Sequence, residues 1–236
     1  MSNNYGPKIV TDGLVLCLDA ADQNSYSGSG NTWIDASANN NNATLYNSPI
    51  FVDANGGYID FDGTNDYADT ANGTSLNNSL NISVEVWINQ DVIHTSATFT
   101  DIINLFEIPA NALIGSESCF YMGIRSSGVF FRYQKGAGAA QTASVVGGQE
   151  TNVWRHYVGT SDDNYISIYK DGELIQSNAN QHTFTAMPNT IGRLAECGYY
   201  SNHYNGKIAA VKVYNKALAA SEVRQNFEAT KGRFGL

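Results

Sequence analysis

Basic residues are scarce: 13 Lys and Arg stand against 22 Asp and Glu in 236 residues, and the cations are nowhere clustered. Gripping a phosphate backbone takes a concentrated patch of Lys and Arg. The sequence therefore predicts no nucleic-acid partner, and an anionic membrane surface is no better matched. Long apolar runs are missing too, and none approaches the roughly 20 residues a spanning helix requires, so membrane insertion is not expected. The first 22 residues, MSNNYGPKIVTDGLVLCLDAAD, lack a basic stretch followed by a long apolar one. No signal peptide is expected from them, and synthesis in a cytoplasm is. Cysteine is limited to Cys17, Cys119 and Cys197, an odd number at wide spacing with no C-x-x-C pair. That excludes the zinc-ribbon and redox patterns and argues against a disulfide framework. Each cysteine reads as a small buried hydrophobe.

Charged residues of both signs make up only 15% of the chain, well under the usual quarter or so. Polarity comes instead from 27 Asn, 22 Gly and 14 Tyr, with Ser and Thr. Asn and Gly tolerate the positive φ of tight turns, whereas Tyr and Thr suit a pleated surface. This mixture favours many short strands joined by turns. The net charge of −9 would keep such a protein soluble or attract a cation.

Strand patterns recur along the whole chain. Gly13–Asp19 is a short apolar run, and Tyr58–Phe61 alternates ahead of Asp62-Gly63. Ile82, Val84, Val86 and Ile88 alternate strictly with Ser83, Glu85, Trp87 and Asn89, a strand signature. Asp101–Phe106, Phe120–Ile124 and Val129–Tyr133 follow, then Trp154–Thr160. Tyr165–Lys170 and Glu173–Gln176 flank Asp171-Gly172, which predicts a hairpin. Lys207–Tyr214 reads as the last strand. The polar stretch Gln23–Asn42 reads as a long surface loop pinned by Trp33, and Lys135–Gly148 as a loop or edge hairpin. Only residues 219–231 read as helix, with Val223 and Phe227 four apart. The expectation is an all-β antiparallel sandwich: one domain over residues 1–236, with an arm at 1–12 and one short C-terminal helix.

Several segments in order resemble laminin G-like, concanavalin A-like jelly rolls. Gly57–Asp69 (GYIDFDGTNDYAD) is similar to the family's F-D-G-x-x-D-Y signature, and Asn81–Asn89 to its S-x-x-x-W strand. Trp154–Val158, Tyr169–Gly172, Ile191-Gly192 and Asn205–Leu218 with Ser221–Val223 match later motifs in the same order. The opening, Gly13–Asp22 through Asn41–Leu45, resembles laminin G-like domains of phage and giant-virus structural proteins. The resemblance implies the jelly-roll fold. It further implies a non-catalytic virion component, such as a head decoration, tail or fibre protein. Its partners would be other virion proteins or copies of itself in a homo-oligomer, and in some settings host-surface glycan. A soluble lectin-like carbohydrate-binding module is the alternative, with a glycoside hydrolase as the third reading.

Glycoside cleavage needs two carboxylates flanking the bond, which on a strand means two acids two residues apart. No E-x-D or E-x-E occurs, Glu85 is flanked at that spacing by Ser83 and Trp87, and Asp60 and Asp62, though two apart, fall to the Asp62-Gly63 turn of the signature, so no catalytic residue is assigned. Calcium wants several oxygens. The resemblance places such a site at the sandwich rim, where Asp62, Asn65, Asp66 and Asp69 would be the ligands. The last strand, however, carries Ala209-Ala210 where relatives have an acidic pair, and turn-shaping is the competing role for these residues. No cofactor is otherwise implied. For glycan or partner binding, Tyr199, Tyr200, Asn202, His203 and Tyr204 offer aromatic faces beside polar groups; edge packing or a subunit contact is the competing role. Trp87 and Trp154 read as core, and His156 as a structural strand residue.

Overall fold

The computed structural model describes residues 7–70, 81–95, 100–107, 119–134, 141–144, 149–180, 190–197 and 202–236. Six strands fill the first of these stretches: β1 (Leu14–Asp19), β2 (Thr32–Trp33), β3 (Ala43–Tyr46), β4 (Ile50–Val52), β5 (Tyr58–Asp62) and β6 (Tyr67–Thr70). The middle of the chain gives β7 (Ile82–Gln90), β8 (Thr100–Glu107), β9 (Cys119–Arg125), β10 (Gly128–Gln134) and β11 (Gln141–Ser144). Next come β12 (Trp154–Ser161), β13 (Tyr165–Lys170) and β14 (Glu173–Ala179). The chain closes with β15 (Thr190–Leu194), β16 (Glu196–Cys197), β17 (Asn202–His203), β18 (Asn205–Tyr214), helix α1 (Ala220–Thr230) and a 3₁₀ turn at Lys231–Phe234.

Among the described residues these strands form two eight-stranded sheets and a small β16–β17 ribbon. The first sheet runs β14-β13-β12-β7-β18-β5-β4, with β1 also paired to β18; the second runs β11-β10-β9-β8-β15-β6-β3-β2. Their ladders are antiparallel. This is the expected jelly roll. The strict alternation in β7 does what period-2 patterning requires: Val84, Val86 and Ile88 enter the inter-sheet core. There they join Ile208, Val211 and Val213 of β18 and face Ile103, Phe120, Met122 and Phe131 of the second sheet. Asp171 and Gly172 sit at φ +50° and +81°, the paired left-handed residues of a two-residue hairpin turn.

Core spacing depends on one glycine. A methyl group on Gly159 of β12 would lie 2.2 Å from Cγ of Phe131, so the two sheets approach there only because the side chain is absent.

The other face of β7 is also buried, under α1 and the turn that follows it. Trp87 stacks on Phe234 at 4.1 Å and 22°, and its Nε1–H donates to Thr230 Oγ1 at 2.9 Å. Trp154 packs on Phe234 as well. Both tryptophans are therefore core residues of an outer layer between helix and sheet, not of the sandwich interior. The helix starts where Glu222 Oε2 accepts the Ala219 N–H at 2.9 Å, a carboxylate placed at the positive end of the helix. The Gln23–Asn42 loop is pinned by fully buried Trp33, as expected. A second anchor is Asp35. Its carboxylate accepts the Cys17 N–H at 2.9 Å, the Ser37 N–H at 2.9 Å and hydroxyl at 2.8 Å, and the Asn41 N–H at 3.0 Å. In the Lys135–Gly148 stretch, residues 141–144 form β11; the remainder lies outside the described residues.

Candidate functional site

The most concentrated set of ionisable side chains is sealed. Glu85 accepts hydrogen bonds from Lys212 Nζ and Asn226 Nδ2, each at 2.6 Å, and His156 Nε2 lies 3.2 Å away, off the line of a good hydrogen bond. Asn226 Oδ1 accepts the Val10 N–H at 2.7 Å. Burial pushes the Glu85 carboxyl up, but the Lys212 ammonium and the His156 ring together outweigh it and hold the group well below the ordinary carboxylate range. All four side chains are buried between sheet and helix, where no substrate reaches. They form a structural network.

The residues expected to hold calcium do meet at the β5–β6 turn, but they serve other partners. Asp62 Oδ1 accepts the Thr64 N–H at 2.7 Å, which lowers its carboxyl pKa, and Asp66 Oδ2 accepts the Asp62 N–H at 3.2 Å. Asn65 contributes its carbonyl to Asn47 Nδ2 at 2.6 Å. Asp69 is bound through both oxygens to Arg193, at 2.7 and 2.8 Å. A guanidinium in the site disfavours a cation, so Asp69 is corrected from ligand to ion-pair partner. Among the described residues no group of three or more His, Cys, Asp and Glu could hold a metal ion. The donor set does not fit calcium.

The expected glycan patch divides. Tyr204 is fully buried in the inter-sheet core; a side chain packed there cannot touch a ligand, and its assignment is corrected to core. Asn202 and His203 are half-buried on the ribbon, where His203 Nδ1 approaches the Asp66 carbonyl at 3.4 Å. Tyr199 and Tyr200 lie outside the described residues.

A different arrangement emerges from the register of the second sheet. Thr32, Thr44, Asp69, Arg193, Asn104, Tyr121, Arg132 and Thr142 are successive cross-strand partners. Each strand contributes one, and all eight therefore stand in one transverse row. Their chain neighbours Trp33, Ala68, Leu194, Ile103, Met122 and Phe131 point the other way, into the core. All eight members are polar, and aromatic rings flank them. Arg132 donates to Thr142 Oγ1 at 2.9 Å and to the Tyr121 hydroxyl at 3.0 Å, and its guanidinium lies 5.4 Å from the Phe130 ring centroid.

In the half of the row towards Thr32, Arg193 binds Asp69 and, at 3.1 Å, Glu196, while lying 5.1 Å from the Tyr67 ring centroid. Tyr67 in turn stacks on Tyr46 at 4.6 Å and 12°. Hydrogen bonding to Asp69 raises the Arg193 pKa further, fixing its charge. Asn104 and Tyr121 are buried, but the row opens in this half: Tyr67, Asp69 and Arg193 are half-buried and Tyr46 is 40% exposed. Among the described residues no helix covers this sheet. Sequence reasoning missed the row because each strand supplies a single member. The signal available was the outward set of each predicted strand, such as Tyr121 and Arg132.

A sandwich with one outer face capped by a helix and the other carrying a polar, aromatic row is a concanavalin A-like jelly roll. The laminin G model of the concanavalin A-like lectin/glucanases superfamily matches residues 62–224, well over half of the sequence, and the chain belongs to that family. No curated protein matches it in sequence. Among solved structures, the binding domain of botulinum neurotoxin serotype D is similar with a TM-score of 0.69 and 18% identity over 93% of this chain. The chain spans about half the length of that toxin fragment, 52%. Domain 4 of AbnA, an extracellular arabinanase from Geobacillus stearothermophilus solved with arabinotriose, gives 0.68 and 17%, covering 91% of this chain and 98% of that one. The Trypanosoma rangeli sialidase, solved with sialic acid, gives 0.65 and 16%, covering 94% of this chain and 33% of that one. At these identities the likeness is one of fold.

Proposed function

We propose that this protein is a non-catalytic carbohydrate-binding module that receives its ligand on the open half of the transverse row. The row itself carries the reading: aromatic faces side by side with a fixed guanidinium and its carboxylates, on a sheet face that no helix covers among the described residues. A sugar ring presents an apolar C–H face and a rim of hydroxyls. Tyr46 and Tyr67 suit the first, and Arg193, Asp69 and Glu196 suit the second. Toxin binding domains and an arabinanase domain among the structural neighbours support a binding role. Catalysis is disfavoured here because hydrolysis needs one carboxyl free to give a proton and another to attack or activate water. Asp69 and Glu196 are both committed to Arg193.

The test is isothermal titration with arabinotriose, maltotriose, lactose and chitotriose, comparing the unchanged protein with Tyr46→Ala. Because Tyr46 is exposed, its loss is expected to leave the melting temperature unchanged while weakening binding about tenfold, the scale of one aromatic contact. Equal affinity in the two proteins would place the ligand elsewhere.

A second reading, self-assembly, is favoured by the edge strand β14. Leu174 is 53% exposed there and Ile175 46%, beside Tyr165 at 54% on β13. Open edges with apolar side chains invite pairing with another chain. The virion role implied by residues 13–45 would use such a contact, and the comparisons with known proteins do not bear on it. Under this reading, light scattering is expected to give a closed oligomer that Ile175→Lys converts to monomer. A monomer before substitution removes it.

A further inference from the structure

We infer that the cleft between the Tyr26–Asn31 loop and the Leu45–Phe51 segment is a second saccharide site, selective for an uncharged ring. It shares its ligand class with the function proposed above but not its residues. The cleft encloses about 640 Å³, within the range of small-molecule sites. No charged side chain lines it, although the chain as a whole carries a net −9. A carboxylate, phosphate or ammonium would find no counter-charge there, and a desolvated ion without one is strongly disfavoured. A neutral polyol loses nothing of that kind.

The lining supplies both things a sugar ring needs. Half-buried Phe51 offers an apolar surface, held at 5.3 Å from the ring of Tyr26. Around it the exposed side chains of Ser29, Asn31 and Ser48 make no hydrogen bond to protein among the described residues, leaving two hydroxyls and one amide to answer ligand hydroxyls.

The walls are held by the chain's own hydrogen bonds. The Tyr26 hydroxyl donates to the Gly30 carbonyl at 2.7 Å, closing the loop on itself. Gly28 and Gly30, at φ +89° and +88°, make the left-handed turns that glycine alone adopts freely. Behind them the Ser25 hydroxyl donates to Ile34 O at 2.6 Å and accepts the Asp19 N–H at 3.1 Å, and Asp35 ties the loop base to Cys17 and Asn41. On the facing wall Asn47 is fixed by its bond to the Asn65 carbonyl. A preformed site loses little freedom on binding, which favours affinity.

The experiment is a ¹H–¹⁵N titration of the full chain with arabinotriose, maltotriose, lactose and chitotriose, and with 3′-sialyllactose as the anionic probe. Asn31→Ala, Phe51→Ala and Tyr46→Ala are titrated alongside. At least one neutral probe is expected to shift the amides of Gly28, Gly30 and Ser48, and to do so in Tyr46→Ala as well. Sialyllactose should leave them unmoved. Phe51→Ala should weaken this response about tenfold. Asn31→Ala, an exposed change that leaves the fold intact, should weaken it severalfold, so that a folding defect in the Phe51 variant cannot mimic the result. Shifts confined to the surroundings of Tyr46, or equal response in Asn31→Ala, would overturn the inference while leaving the proposed function standing. Cleft shifts unaccompanied by any second set of shifts around Tyr46 that Tyr46→Ala abolishes would do the reverse. Silence from every probe ends both.

Discussion

Glu85→Ala is expected to cost 3–5 kcal/mol of folding stability, the scale for breaking a buried ion pair. Lys212 would be left as an unpaired cation inside the protein, and Asn226 would lose the acceptor that ties α1 to β7. Against a total of about 5–15 kcal/mol for a typical domain, the variant should sit close to unfolding at room temperature. Urea denaturation at neutral pH reads the loss directly. The pair is not a net gain over apolar packing, however, since replacing both charges can be neutral. Glu85→Leu combined with Lys212→Met should therefore recover a large part of the deficit. A single-variant loss below about 1 kcal/mol would mean that solvent reaches the network. Acid supplies an independent check. The Glu85 pKa is depressed in the folded state, so its contribution is full above the unfolded carboxyl value and is lost as pH falls towards the folded one. Stability of the unchanged protein should thus fall with pH from about 4.5 downwards, and more steeply than in the Leu/Met double variant.

The fold was legible because its signals are local. Alternation in Ile82–Asn89, the Asp171-Gly172 turn, the Lys207–Tyr214 run and the Val223–Phe227 spacing each report on a few consecutive residues. The structure turns them into β7, the β13–β14 hairpin, β18 and α1. Two kinds of information were not local. Tyr204 stands among Tyr199, Tyr200 and His203 in sequence and looked like part of a rim. The backbone carries its ring inward, and no pattern within CGYYSNHYNG says that it should. Asp69 looked like a cation ligand until register placed Arg193 of β15 directly opposite it, 124 residues away. The transverse row has the same origin. Predicted strands already contained Asn104, Tyr121 and Arg132, but only pairing order and register bring them into line. Trp87 and Trp154 read as core and are buried, yet composition does not tell that the sandwich has a second buried layer between sheet and helix. Binding information on a β-sandwich is written across strands, whereas sequence is read along them.

Gly159→Ala is expected to be strongly destabilising although it adds a single methyl group. The position is an ordinary extended strand residue and carries no positive φ, so backbone strain plays no part. What matters is Phe131, whose Cγ would lie 2.2 Å from the new methyl group. Interiors are packed to crystal-like density, and Phe131 is already stacked on Phe120 at 5.9 Å, so the ring has little room to retreat. Overpacking of this kind costs about 1–3 kcal/mol and at times more, a fall of roughly 2–12 °C in melting temperature for a chain this long. Gly159→Val should fare worse. Phe131→Leu added to Gly159→Ala should restore part of the loss, and a favourable coupling of more than about 0.5 kcal/mol in that cycle would identify the contact. Additive effects would mean that the sheets part elsewhere to absorb the methyl group. The same contact links core to binding face. Phe131 lies between Phe130 and Arg132 on β10, and its two neighbours stand on the outer side of the sheet. A ring pushed outward from Gly159 must move the strand that carries Arg132. The alanine variant should therefore shift the amide resonances of Tyr121, Arg132 and Thr142 even at temperatures where it remains fully folded, whereas a purely local cavity adjustment would leave them in place.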